Sequence, residues 1–230
     1  MKTSTLIIFL SCFYSFAQAQ DYAIINDKDG FVNVRKDANA KSEIIGKLYD
    51  KDIFSYDSES ETNSKWVRIY KQRGNDNSLD GYVYDDRIFP ISKFRNLHTK
   101  KRGINICSIT NDSITVTVQL SKFNPRNHKI SFEGDQTHVD GKIIWGTDDE
   151  TPKVKVSCVM VVIKDKVIDI PYNAFDDLYE PNYRNFDVYL GKNNTIYIEM
   201  NNSDGAGAYT IIWIIKDGKY VGRYIDNSMV

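Results

Sequence analysis

Between residues 20 and 92 the apolar positions come in short alternating runs divided by Asp, Asn, Gly and Lys: Tyr22-Ala23-Ile24-Ile25, Val32-Asn33-Val34, Ile44 to Leu48, Ile53 to Tyr56, Trp66 to Tyr70 and Gly81 to Tyr84. A period of two marks half-buried strands, and no window of a dozen residues carries the 3.6-residue period of a helix. Five or six short strands with tight turns predict a small barrel over residues 20–92. Residues 93–102 lack apolar periodicity and read as a linker. From 103 to 230 the strand pattern resumes: Ile104 to Ile109, Ser113 to Leu120, Lys129 to Phe132, Lys142 to Trp145, Val154 to Ile163, Val167 to Ile170, Thr195 to Met200, Tyr209 to Ile215 and Tyr220 to Ile225. Lys216-Asp217-Gly218-Lys219 is an Asp-Gly hairpin turn, and Lys164-Asp165-Lys166 makes a similar reversal. Only Tyr172 to Tyr179 offers a helix, about two turns long and stopped before Pro181. The fold class is therefore all-β, a small barrel followed by a β-sandwich or open barrel with one short helix.

The N-terminus has a different pattern. Lys2 precedes an apolar run from Leu6 through Phe16, and Ala17-Gln18-Ala19 supplies the small residues of a cleavage site, so residues 1–19 read as a signal peptide and the mature chain as starting at Gln20. The run falls short of the ~20 residues that cross a bilayer. Leu10-Ser11-Cys12 offers the alternative of a lipoprotein acylated at Cys12. Without Lys2, 29 basic residues face 31 acidic ones, a net charge of −2 that attracts no polyanion, so nucleic acid is not expected as a partner. The basic run Lys93, Arg95, Lys100, Lys101, Arg102 reads first as a solvated linker and second as a membrane-surface or wall-polymer patch.

Four blocks of the first region also carry a likeness. Gly30-Phe31-Val32-Asn33-Val34-Arg35, Ser42 to Leu48, Trp66-Val67-Arg68-Ile69 and Gly81-Tyr82-Val83 resemble, in order and spacing, the bacterial SH3 (SH3b) family over about a third of the chain. The resemblance implies a small barrel of the cell envelope that docks on peptidoglycan or a protein partner. The sequence departs from the family at Lys36-Asp37-Ala38, where a Ser-Gly-Pro-like turn is usual, and at Tyr82, where Trp is common. The likeness therefore speaks to the fold before the ligand. The aromatics Tyr22, Tyr56, Trp66, Tyr82 and Tyr84 could line a groove for sugars or a peptide, though strand alternation must place about half of them in the core; the candidate ligand-binding residues are Asn33, Arg35, Tyr82 and Tyr84.

Candidate chemistry thins out beyond this point. Since SH3b modules are often joined to wall-cleaving domains, a Cys-His amidase is the first enzyme to weigh; Cys107 precedes His128 and His138, but Ile106 and Ile109 put it in a strand with no helix N-terminus to lower its pKa. The two mature cysteines, Cys107 and Cys158, are either a disulfide worth about 4 kcal/mol in the chain-entropy picture or two buried thiols. His98, His128 and His138 show no ligand spacing, so no metal is expected. Asp76 to Gly81 opens like a calcium loop, yet Arg87 stands where the bidentate Glu belongs. Asp148-Asp149-Glu150 and Asp176-Asp177 supply carboxylate pairs of the glycosidase kind, with charged turns the simpler account. Ser203-Asp204-Gly205-Ala206-Gly207 reads as a glycine-bearing hairpin loop, and Asp204 is its candidate ligand-binding residue. No cofactor is expected.

The expected function is that of an exported envelope binding protein, periplasmic or secreted, with no transmembrane segment. The alternative is a periplasmic inhibitor or immunity-type protein. An enzyme with a novel site around Asp204 and residues 172–182 comes third.

Overall fold

The computed structural model describes residues 21–57, 65–72, 78–134, 136–147, 150–202 and 207–227. The expected signal peptide, Cys12, Asp76, Asp148, Asp149 and Asp204 lie outside the described residues. The chain is all-β, built from antiparallel sheets.

The N-terminal sheet comprises β1 (Asp21–Ile25), β2 (Phe31–Arg35), β3 (Ile44–Tyr49), β4 (Ile53–Tyr56), β5 (Trp66–Gln72), β6 (Ser78–Tyr84) and β7 (Ile88–Pro90), in the order β3-β2-β6-β5-β4-β1-β7. Alternation explains its curl. Every strand sends side chains into one cluster that includes Ala23, Val34, Leu48, Phe54, Ile69, Val83 and Ile88, so the sheet wraps its own core. Gly81 permits the closure: a β-carbon there would stand 2.5 Å from the Arg35 carbonyl oxygen and 2.9 Å from Val34 and Ile45. No larger residue lets β6 approach β2 this closely.

Two further sheets follow. The outer one contains β9 (Thr99–Gly103), β10 (Ile106–Thr110), β11 (Ile114–Lys122), β15 (Val154–Ile163) and β16 (Lys166–Ile168), ordered β16-β15-β11-β10-β9. The middle one contains β8 (Arg95–Asn96), β17 (Phe186–Leu190), β18 (Thr195–Asn202), β19 (Tyr209–Lys216) and β20 (Lys219–Asp226), ordered β20-β19-β18-β17-β8. A small three-stranded sheet, β12 (Ile130–Glu133), β13 (Gln136–Val139) and β14 (Lys142–Ile143), gathers around Phe123, Val139, Ile144 and Tyr179.

The central strands of the middle sheet, β18 and β19, are buried on both faces. Ile198, Met200, Ile211, Trp213 and Ile215 meet Cys107, Ile109, Val116, Val118 and Val161 of the outer sheet in the largest core of the protein. On the opposite face Tyr189, Tyr197 and Ile212 pack with Tyr22, Ile53 and Ile91 of the N-terminal region. This is why Ile211 to Ile215 reads as an unbroken apolar run: both sides of β19 need to be apolar. Each large side chain so buried contributes about 2 kcal/mol.

Three expectations need correction. Residues 93–102 are no linker: Arg95 and Asn96 pair with Leu190 and Tyr189, Leu97 is buried, and Thr99 to Gly103 form the ladder against β10. The alternation fails there because β9 is a solvated edge strand, and its lysines discourage pairing with other chains. The expected helix at 172–179 is a single 3-10 turn, Tyr172–Ala174. The Ala174 carbonyl, which a helix would offer to the Leu178 amide, instead accepts from Trp213 Nε1 at 2.8 Å and Arg223 Nη1 at 3.1 Å. Finally, Cys107 and Cys158 are free. Cys107 pairs with Val118 and faces the core, whereas Cys158 pairs with Gln119 on the other side of the sheet. Two strand spacings, roughly 10 Å, separate them. A disulfide tolerates at most about 7 Å between Cα atoms.

Candidate binding groove on the N-terminal sheet

Strand alternation sends Val32 and Val34 inward and leaves Phe31, Asn33 and Arg35 together on the outer face of β2. Across the ladder of β5 and β6, Trp66 stands opposite Tyr84, and their rings meet edge to face with centroids 5.1 Å apart and planes at 85°. The turn after β1 adds Asp27 and Asp29, and the 3-10 turn Asp85–Arg87 adds Asp86 and Arg87. Together these residues line an open groove of about 390 Å³.

Its charged walls are tied down. Arg87 pairs with Asp27 and, at 3.2 Å, with Asp86. The Asp29 amide, then Arg87, hold the Asp27 carboxyl below the usual range. Arg35 Nη1 donates to the Ser42 carbonyl at 2.7 Å, fastening the loop at 36–43 to the groove wall, and Ser42 Oγ donates to Asp37 at 2.8 Å to close that loop. Lys47 Nζ lies 4.1 Å from the centre of the Phe31 ring. Asn33 Oδ1 is shut away from solvent without a hydrogen-bond donor among the described residues. Such an acceptor is costly unless something satisfies it.

The sequence-derived candidates separate accordingly. Asn33, Arg35 and Tyr84 line the groove together. Tyr82 shares the outer face but stands opposite Arg68 and Arg35, outside the groove, beside the bidentate Arg68–Asp80 pair at 2.8 and 2.6 Å. Tyr22 and Tyr56 are buried, while Trp66 is one of the outward-facing aromatics. Phe31, Asp29 and Asp86 belong to the groove although sequence reasoning passed over them. Phe31 shares the outer face of β2 with Asn33 and Arg35, so strand alternation contained the signal for it.

The other chemistry stays scattered. Cys107 is sealed in the core between the middle and outer sheets, whereas His128 stacks on Phe123 of the three-stranded unit and binds Asp140 at 2.6 Å. Asp176 is paired with Lys142 at 2.5 Å and Asp177 with Arg223, so these neighbouring carboxylates serve separate ion pairs. Among the described residues no three His, Cys, Asp or Glu side chains gather at metal-binding distance, and no helix is long and apolar enough to cross a membrane. The groove has aromatic edges, an unsatisfied amide oxygen and three carboxylates against two guanidinium groups. That combination suits a polar ligand with apolar faces and a positive charge. No family model matches the chain, and no curated protein matches it at a significant level of similarity.

Proposed function

We propose that the protein is an exported cell-envelope binding protein in which the curled N-terminal sheet is an SH3b-like barrel that docks an amine-bearing peptide, of peptidoglycan or of an envelope partner, in the Trp66–Tyr84 groove. The observation that carries this reading is the meeting of Trp66, Tyr84, Asn33 and Arg35 around one 390 Å³ groove. Export rests on the N-terminal apolar run with its Ala17-Gln18-Ala19 site. The aromatic pair offers ring faces to the ligand, and the excess of carboxylates favours an ammonium group.

Cosedimentation of the chain from Gln20 onward with purified peptidoglycan, wild type beside Trp66→Ala, tests it. Retention of the wild type with about tenfold weaker retention of the variant is the expected result, the loss one aromatic contact supplies. Failure of the wild type to sediment removes the wall-binding form.

One observation supports a second reading, an inhibitor or immunity-type protein. Ile44, Ile45 and Tyr49 are 49%, 39% and 55% exposed on β3, the edge strand of the N-terminal sheet. An apolar edge of this kind accepts an added strand from another protein. Copurification of one stoichiometric envelope protein, lost on Ile44→Lys, would favour this reading over wall binding.

A further inference from the structure

A larger concavity lies where the N-terminal sheet meets the middle sheet. It measures about 690 Å³, within the range of small-molecule sites, and it sits at a junction between structural units, where such sites concentrate. Its floor comes from both sides: Ile24 and Ile53 from the N-terminal sheet, Phe94 from the connection, Tyr197 and Ile214 from the middle sheet. The aromatic members form a continuous wall. Phe94 stacks on Tyr197 with centroids 5.8 Å apart and planes at 9°, and Phe89 leans on Phe94 at 4.6 Å.

The rim has the opposite character. Lys28, Lys51, Lys192 and Lys216 all line the cleft and all are exposed. Lys192 Nζ donates to Asn26 at 3.2 Å and lies 5.2 Å from the centre of the Phe89 ring, so it is already drawn over the aromatic wall. Lys28, Lys51 and Lys216 make no salt bridge among the described residues. Of the two rim carboxylates, Asp27 is engaged by Arg87, leaving Asp50 against four ammonium groups. In a protein with a net negative charge, this local positive excess above an apolar floor selects its ligand by charge as well as by shape.

We propose that this cleft binds a small anionic amphiphile, an acyl or aryl body with a single carboxylate, its apolar part against Phe94, Tyr197 and Ile214 and its carboxylate among Lys51, Lys192 and Lys216. Anilinonaphthalene sulfonate, an aryl anion, is the reporter for the test, displaced from the chain starting at Gln20 by decanoate or by uncharged decanol. The expected result is saturable, one-to-one fluorescence enhancement, with decanoate displacing the reporter at least fivefold better than decanol. The Lys51→Ala, Lys216→Ala double variant removes two exposed charges without touching the core. It should weaken decanoate about fivefold and leave decanol unchanged. Trp66→Ala, in the other groove, should change neither. The assignment is overturned by non-saturable enhancement, by equal displacement with the two competitors, by an unaltered decanoate affinity in the lysine variant, or by loss of binding in Trp66→Ala.

Discussion

Arg223 grips Asp177 through both terminal guanidinium nitrogens, at 2.6 and 2.5 Å, and joins β20 of the middle sheet to the segment that follows the 172–174 turn. Both side chains are largely covered, and Arg223 Nη1 also holds the Ala174 carbonyl. Arg223→Met strands a carboxylate away from water and should cost about 3 kcal/mol in urea unfolding. Adding Asp177→Leu should recover most of that loss, because the uncompensated charge is then gone. A double variant no more stable than Arg223→Met would show that the pair was not the source of the cost.

Gly81 tests the packing of β6 on β2. Gly81→Ala sets a methyl group 2.5 Å from the Arg35 carbonyl oxygen. Backbone cannot yield as a flexible side chain can, so the variant should lose about 2 kcal/mol, seen as a fall of several degrees in thermal midpoint. An unchanged midpoint would mean that the strands part without penalty.

Glu199 gives a dependence on pH. It lies on the face of the middle sheet turned to the N-terminal sheet, and burial pushes its carboxyl up from 4.5 to about 7, with Asn201 opposing and Asp187 and Asp21 adding to the rise. Between these two values the folded chain holds a proton that the unfolded chain has released, so stability falls as pH rises through that window. The magnitude is about 3 kcal/mol. Glu199→Gln should therefore gain on the wild type progressively from pH 5 to pH 8 in denaturant titrations. A constant difference between the two proteins across that range would refute the shift.

The thiols should behave independently. Cys158 is partly exposed and Cys107 buried. In the chain from Gln20, an aromatic disulfide reagent should titrate Cys158 in the native state and Cys107 only after unfolding. A reductant should leave the thermal midpoint unmoved.

Much of this architecture is legible in the residues. The period-two runs at Phe31 to Arg35 and Trp66 to Tyr70 fall on strands, because at each a single buried face dictates the alternation. Legibility fails where tertiary contact outweighs local pattern. Thr99 to Gly103 has no buried face to advertise, since it is an edge strand paired with β10 alone. The 172–179 segment has helical spacing, but Trp213 and Arg223, both distant in sequence, claim its carbonyl. The groove is partly readable, since Asn33 and Arg35 stand two apart on one strand and so share a face. The junction cleft was not, because its walls come from residues as far apart as Ile24 and Ile214, which no local period connects.

The middle sheet's double burial has a consequence for the order in which the protein is made. Its first strand, Arg95–Asn96, follows the N-terminal sheet directly, but β17 to β20 are the last described strands to leave the ribosome. Until they arrive, Tyr22, Ile53 and Ile91 have no cover and the inner face of the outer sheet has no partner. The nascent chain thus carries the first of these surfaces from the completion of the N-terminal sheet and both of them once β16 is made, a period in which aggregation competes with folding. The arrival of one sheet, β17 to β20, closes both surfaces, because its strands carry residues of both cores.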